Sequence, residues 1–322
     1  MKGELIATGD YLDQPGQMEV VDDRLVVLDR SAPMVHVFHL GGAHLGSFGQ
    51  KGEGPGEYRS AVHVQRDAKD PRDVWIFDRT LGRMSRLRFG QAPLPELQEV
   101  VNLNAGTGVF LHPVWLGDTT LVVSAISPTH SDGRLLLTGR TGRVMRMIGK
   151  PPRHPGSAAI PTTVLQHAYE GPLTVRPDRS HFALATRQAD RLEIYRADGT
   201  QVAEVVGSTG FLPEFEVRER AEGVSMAAGD DLRVGYVGIA STNERIYALF
   251  SGELRSEAGA NSFLGREVHV FNWSGKKIAR LELDALAVAI TVTPDGRQLF
   301  AIRHDPEPSV ARYMLPPSAT GS

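Results

Sequence analysis

The chain has 322 residues, 41% hydrophobic and 23% charged, and 35 basic residues against 38 acidic ones leave a formal net charge of −3. Neither sign forms a long run, so nucleic acid is not an expected partner. There is no cysteine, which excludes disulfides, thiolate metal sites and cysteine nucleophiles together.

The 34 glycines and 20 prolines exceed the average share of about 12% and imply many turns. No stretch approaches the roughly 20 apolar residues that span a bilayer, and the opening MKGELIATGDYLDQPG lacks the apolar core of a signal peptide. The expectation is a soluble chain with no transmembrane segment, although a protein whose leader had been replaced by Met1 would read the same way.

Along the chain, GELIATGDY supplies a first short strand. Six apolar runs follow: LVVLD from Leu25, VWIFD from Val74, LVVSA from Leu121, FALAT from Phe182, IYALF from Ile246 and LFAIR from Leu299. Their starts lie 49, 47, 61, 64 and 53 residues apart. Another apolar segment precedes each run: QMEVVDD, AVHVQRD, HPVWLGD, LTVRPDR, VGIASTN and AITVTPDG.

Most units continue with a second alternating run, such as MVHVFHL at Met34, RMSRLRF at Arg83, RLEIYRA at Arg191 or EVHVFNW at Glu267. Alternation at period two marks strands. The sequels HLGGAHLGSFG, RADGTQVAEVVG and NWSGKKIARLEL place glycine where a tight hairpin needs positive φ.

Each unit therefore reads as four antiparallel strands, the pattern of propeller blades. The prediction is an all-β, six-bladed β-propeller forming one domain over residues 1–322. The N-terminal strand closes the last blade beside ARYML at Ala311.

Two stretches break the repeat: about 150–170 (KPPRHPGSAAIPTTVLQHAYE) and about 208–230 (STGFLPEFEVRERAEGVSMAAGD). Both are expected as insertions on the rim, with PEFEVRERAE as a short exposed helix. Long loops are where a rigid scaffold carries specificity.

The run GSFGQKGEGPGEYR (Gly46–Arg59) is similar to the linker of NHL-repeat propellers. In order, IYALFSG, REVHVFNWSGKKIARLELD and TPDGRQLFAIRHDPEP resemble the C-terminal blades of bacterial six-bladed, TolB-like propellers. These likenesses cover the first two and last two blades, while the middle matches by blade pattern and by VRPDRSHFALAT. The resemblance implies the fold, and a periplasmic or envelope location if a leader has been removed. It names no ligand, because one fold hosts many activities.

Counting back from the aspartate in the turn after each innermost strand sets Met18, His63, Val114, Thr174 and Thr291 at one level, with Gly238 by a looser fit. The neighbouring level holds Glu19, Val64, Trp115, Val175, Ile239 and Val292. Only Glu19 and His63 among them are metal ligands by chemistry. Calcium takes six to eight oxygens and zinc three or four protein ligands, so neither a metal nor a cofactor is expected.

His63 and His112 each offer a general base or ligand near neutral pH, or a hydrogen-bonded structural role. Trp115 offers an aromatic platform at the channel mouth, and Arg176 a partner for an anion. Packing competes for Trp115, as it does for Trp75 and Trp273.

Phosphate-cradling glycine loops open a helix, whereas KGEGPGE contains Pro55 and runs into strand-like AVHVQRD, so it reads as a structural turn. Ser131-Asp132-Gly133 reads as a hairpin turn rather than a nucleophile elbow. Asn272-Trp273-Ser274 is a turn that also fits the glycosylation sequon, and HDPEP (His304–Pro308) is a stiff acidic turn.

Two functions remain open. One is a non-catalytic binding or scaffolding module that grips a peptide, glycan or protein with its loop face. The other is a metal-dependent hydrolase or lyase, lactonase-like, with its site in the central channel.

Overall fold

The computed structural model describes residues 1–316 apart from 68, 104, 105, 107, 131, 132, 153, 154, 221, 222, 230 and 305. Ser131 and Asp132 of the expected hairpin turn, and Asp305 of HDPEP, lie outside the described residues.

After β1 (Glu4–Ala7), blade one comprises β2 (Pro15–Val21), β3 (Arg24–Asp29), β4 (Val35–His39) and β5 (His44–Phe48). Blade two comprises β6 (Ala61–Arg66), β7 (Asp73–Asp78), β8 (Arg83–Arg88) and β9 (Glu96–Asn102). Blade three comprises β10 (Val109–Trp115), β11 (Thr120–Ile126), β12 (Leu135–Gly139) and β13 (Val144–Ile148). Helix α1 (Thr162–Ala168) precedes blade four, which is β14 (Leu173–Val175), β15 (His181–Ala185), β16 (Arg191–Arg196) and β17 (Gln201–Val206).

The hairpin β18 (Phe215–Arg220) and β19 (Gly223–Ala228) then precedes blade five, made of β20 (Tyr236–Ser241), β21 (Arg245–Phe250), β22 (Gly265–Asn272) and the first half of β23 (Lys277–Val292). The second half of β23 opens blade six, which continues through β24 (Gln298–Arg303) and β25 (Ser309–Met314). Strand β1 pairs antiparallel with β25, Glu4 opposite Arg312 and Leu5 opposite Ala311, so the N-terminal strand completes the last blade as the sequence predicts. Around the axis β2, β6, β10, β14, β20 and β23 lie side by side, and β23 returns to β2.

The core lies between blades rather than within them. Val20, Leu25 and Val27 of blade one meet Phe300 and Ile302 of blade six, and Val26, Val35 and Val37 meet Val64 and Ile76 of blade two. The same alternation joins the other neighbours, as with Trp75 and Phe77 against Leu121 and Val123. Burying each such side chain is worth roughly 1.5–3 kcal/mol, so every blade is held by both flanks. The hairpin turns use glycine as expected, with φ of +99° at Gly42, +83° at Gly199 and +87° at Gly275. At Gly42 a β-carbon would also lie 2.2 Å from the Ile6 carbonyl oxygen of the closing strand.

PEFEVRERAE is not the helix its mixed charges suggest. Phe215–Arg220 is a strand in register with β19, Phe215 opposite Ala228 and Val217 opposite Met226, and residues 221 and 222 lie outside the described residues. Phe215 and Met226 pack against Leu165, Ala168 and Tyr169 at α1. The two insertions thus share a small core of their own, a long-range contact that overrides local helix preference.

Candidate functional site

The inner strands carry a repeated irregularity that fixes their true alignment. Pairing slips between Pro15 and Gln17, Ala61 and His63, Phe110 and His112, Tyr236 and Gly238, and Ala287 and Ala289. Such β-bulges re-aim side chains at the rim of a closed sheet. Matched on the bulge, Gln17, His63, His112, Gly238 and Ala289 share one level, and Glu19, Gln65, Val114, Ala240 and Thr291 share the next.

The level predicted from the turn aspartates is therefore wrong in three blades: Gln17 rather than Met18, His112 rather than Val114 and Ala289 rather than Thr291 are the counterparts of His63. The cause is that the aspartate lies at no fixed distance from the bulge: Asp67 follows His63 by four residues, Asp22 follows Gln17 by five, and Asp118 and Asp295 follow His112 and Ala289 by six.

Below the bulges the channel is a throat of about 80 Å³, lined by Glu19, His63, Arg66 and Thr291 among others. Glu19 accepts hydrogen bonds from Thr291 Oγ1 (3.2 Å) and its neighbour's N–H (3.0 Å). Burial raises its pKa above the ordinary carboxylate value, opposed by the charge of Arg66. Burial, and then the adjacent His112, push His63 down to about 3, so its imidazole is neutral. Its Nε2 is enclosed without a hydrogen-bond partner among the described residues. No three His, Cys, Asp or Glu side chains come together as a metal-binding group among the described residues.

Above the bulges the channel widens to a mouth of about 600 Å³. Its shape begins with two buried aspartates at the ends of β3 and β7. Asp29 accepts the N–H groups of Asp13, Gln14 and Ser31. Asp78 accepts those of Arg59, Ser60 and Leu81. Each carboxylate is used up in tying two loops together, and the residue that follows it, Arg30 or Arg79, lines the mouth.

Arg187 holds the same place in blade four: Thr186 N–H bonds to Arg191 across the turn as Asp29 N–H bonds to Met34. The KGEGPGE loop is a structural turn as expected, its carbonyls at Glu53, Gly54 and Glu57 gathered by the buried Arg83 guanidinium.

The first insertion supplies the remaining wall. Gln166 on α1 donates to the His130 and Gly133 carbonyls (2.8 Å each) and accepts from Ser127 N–H (2.9 Å). Arg134, paired with Glu193 in the core, donates to the Tyr169 carbonyl. So pinned, the segment presents His167 and Glu170 to the mouth. Glu170 receives Arg187 Nε at 2.8 Å and faces His112 Nε2 at 3.2 Å. Burial alone would raise its pKa, but Arg187 and His112 outweigh that and hold it well below the usual range.

A family model described as TolB-like 6-blade propeller-like matches residues 4–295. The chain belongs to this family. No curated protein matches it in sequence. Among solved structures, the crystal structure of Chaetomium thermophilum Raptor is similar with a TM-score of 0.52 and 12% identity, covering 97% of this chain and 29% of that one. At that identity, and with 1076 matching chains, the likeness carries the fold alone. Among the described residues no helix of this TolB-like propeller is long and apolar enough to cross a membrane.

The residues singled out from sequence fall in two places. Glu19, His63, Trp115 and Arg176 line the throat and His112 lines the mouth. Trp115 is 5% exposed and packs on Trp75 at a ring separation of 4.8 Å, which makes it part of the seam between blades two and three. Arg176 lies past the far end of the inner strands, bonded to the Asn243 carbonyl (2.7 Å) and paired with Asp178 (3.3 Å).

Arg30, Arg79, Arg187 and Glu170 of the TolB-like propeller were not predicted as site residues. A signal did exist: LVVLDR, VWIFDR and FALATR each end in arginine.

Proposed function

We propose that this TolB-like propeller is a non-catalytic binding module that takes its ligand in the mouth on the loop face. One observation supports this reading above the rest: the insertion that breaks the blade repeat is locked by Gln166 and Arg134 into the wall of a preformed concavity. A cleft of about 600 Å³ falls in the usual range for ligand sites, roughly 300–1,000 Å³. The throat, at about 80 Å³, has room for a handful of waters and not for a peptide or sugar.

Gly16 offers the test. It lines the mouth, its φ is ordinary, and the nearest atom to an added β-carbon is Arg30 Nε at 4.0 Å. Gly16→Trp should fill the space without disturbing a blade. Peptide and glycan arrays probed with both proteins should give binders that the variant loses. Binding that survives the filled mouth, or chemical turnover of a bound array ligand, would overturn the reading.

A second reading rests on His112 and Glu170. A carboxylate 3.2 Å from an imidazole nitrogen orients that ring as a general base, which is the arrangement a hydrolase or lyase would use.

A further inference from the structure

Resting on the mouth as the binding site, we infer that the group entering it is an anion bearing carboxylate or phosphate oxygens. Four arginines and one glutamate line the mouth, a net charge of +3 on a chain whose total is −3. Outside the mouth some arginines are matched, Arg88 with Asp73, Arg191 with Glu204 and Arg280 with Glu267, while others, such as Arg143 and Arg266, stand singly on the surface rather than grouped around a shared cavity.

At the mouth the arginines converge on one cavity. Among the described residues Arg30 and Arg79 have no carboxylate within 4.0 Å, and their guanidinium groups make no hydrogen bond within the chain. Arg187 uses only Nε, toward Glu170, and Arg59 is paired with Glu53 on the outside. The nearest buried acids, Asp29 and Asp78, are committed to backbone N–H groups.

Three of these guanidiniums come from one repeated position, in blades one, two and four, so they approach a common space from different directions. The counterparts of that position elsewhere are Ile126, Ser251 and His304, and His304 is bonded to the Pro15 carbonyl (2.9 Å). Guanidinium forks match carboxylate and phosphate oxygens in paired, charge-assisted hydrogen bonds. An anion would also relieve the repulsion among cations crowded at one rim.

The experiment titrates citrate, inorganic pyrophosphate and glucose into the full chain by calorimetry at low and at 0.5 M salt. The expected result is saturable binding of citrate or pyrophosphate, none of glucose, and an affinity that falls as salt rises. Citrate alone points to a carboxylate ligand and pyrophosphate alone to a phosphate one. The double variant Arg30→Gln, Arg79→Gln should weaken binding at least tenfold while its thermal midpoint stays within a few degrees. No binding by either anion, or equal binding by the variant, overturns the inference.

The two failures are distinguishable. If Gly16→Trp abolishes array binding but neither anion competes with the array ligand, the mouth is the site and its ligand is neutral. If array binding survives Gly16→Trp, the mouth itself is wrong.

Discussion

The strands that wall the throat and the loops that shape the mouth are built from different material, and that explains where the channel carries its charge. The throat is walled by inner strands whose side chains must also pack blade on blade, so Val, Ile, Leu and Thr hold nine of its 22 lining positions. Within the strands His63 is held uncharged and Glu19 is pushed toward its protonated form by burial, while Arg66, Asp67, Arg176 and Arg179 lie at or past the strand ends. The mouth adds loop residues freed from packing, among them Arg30, Arg79 and Arg187, to the near ends of those strands. In a closed propeller, the place with room for charge is the place where the chain leaves the sheet.

The largest expected effect breaks the anchor of the mouth's extra wall. Arg134 and Glu193 are 2% exposed, and Glu193 also accepts the Tyr195 hydroxyl at 3.0 Å. Glu193→Leu leaves the guanidinium buried without its partner, which typically costs about 3–5 kcal/mol. Urea unfolding should show that loss, and proteolysis should then cut near 160–170 sooner than in any blade. A cost below about 1 kcal/mol would mean that the wall does not depend on this pair.

Asp78→Ala comes next. It removes the acceptor of three N–H groups, for which we expect about 2–3 kcal/mol, together with weaker citrate or pyrophosphate binding because Arg79 loses its platform. Loss of stability with unchanged anion affinity would separate the loop scaffold from the ligand site.

The same division marks what the sequence makes legible. Blades are visible because each strand repeats a period-two pattern, and even the closing strand is implied by one surplus segment. The level of His63 is misread because the turn aspartate lies four to six residues past the bulge, whereas the bulges that restore the level leave no mark in residue type. PEFEVRERAE is misread because its fate depends on Leu165 and Tyr169, some 50 residues earlier in sequence. Arg30 and Arg79 pass unnoticed because an arginine after a strand is ordinary on its own. Only the ring brings three of them to one opening.

At neutral pH the smallest effects concern the throat, where Glu19 and His63 respond to pH in opposite directions. The folded state holds His63 at about 3, below an ordinary value near 6.5, so the unfolded chain takes up the proton first. Its contribution is full above pH 6.5 and is lost as pH falls toward 3, at up to about 1.4 kcal/mol per pH unit. His63→Gln, which installs the residue that Gln17 already places at this level, should flatten the acid limb of stability against pH.

Glu19 has a raised pKa, so its contribution is full below the ordinary carboxylate value and fades as pH rises through the folded one. Glu19→Gln keeps an acceptor for Thr291 and removes the buried charge, so at pH 7 it should stabilise the chain by less than about 1 kcal/mol, with no gain at pH 4. A loss at pH 7 would show that the attraction between Glu19 and Arg66 outweighs burial, and the throat would then be a charged site in its own right rather than a packed one.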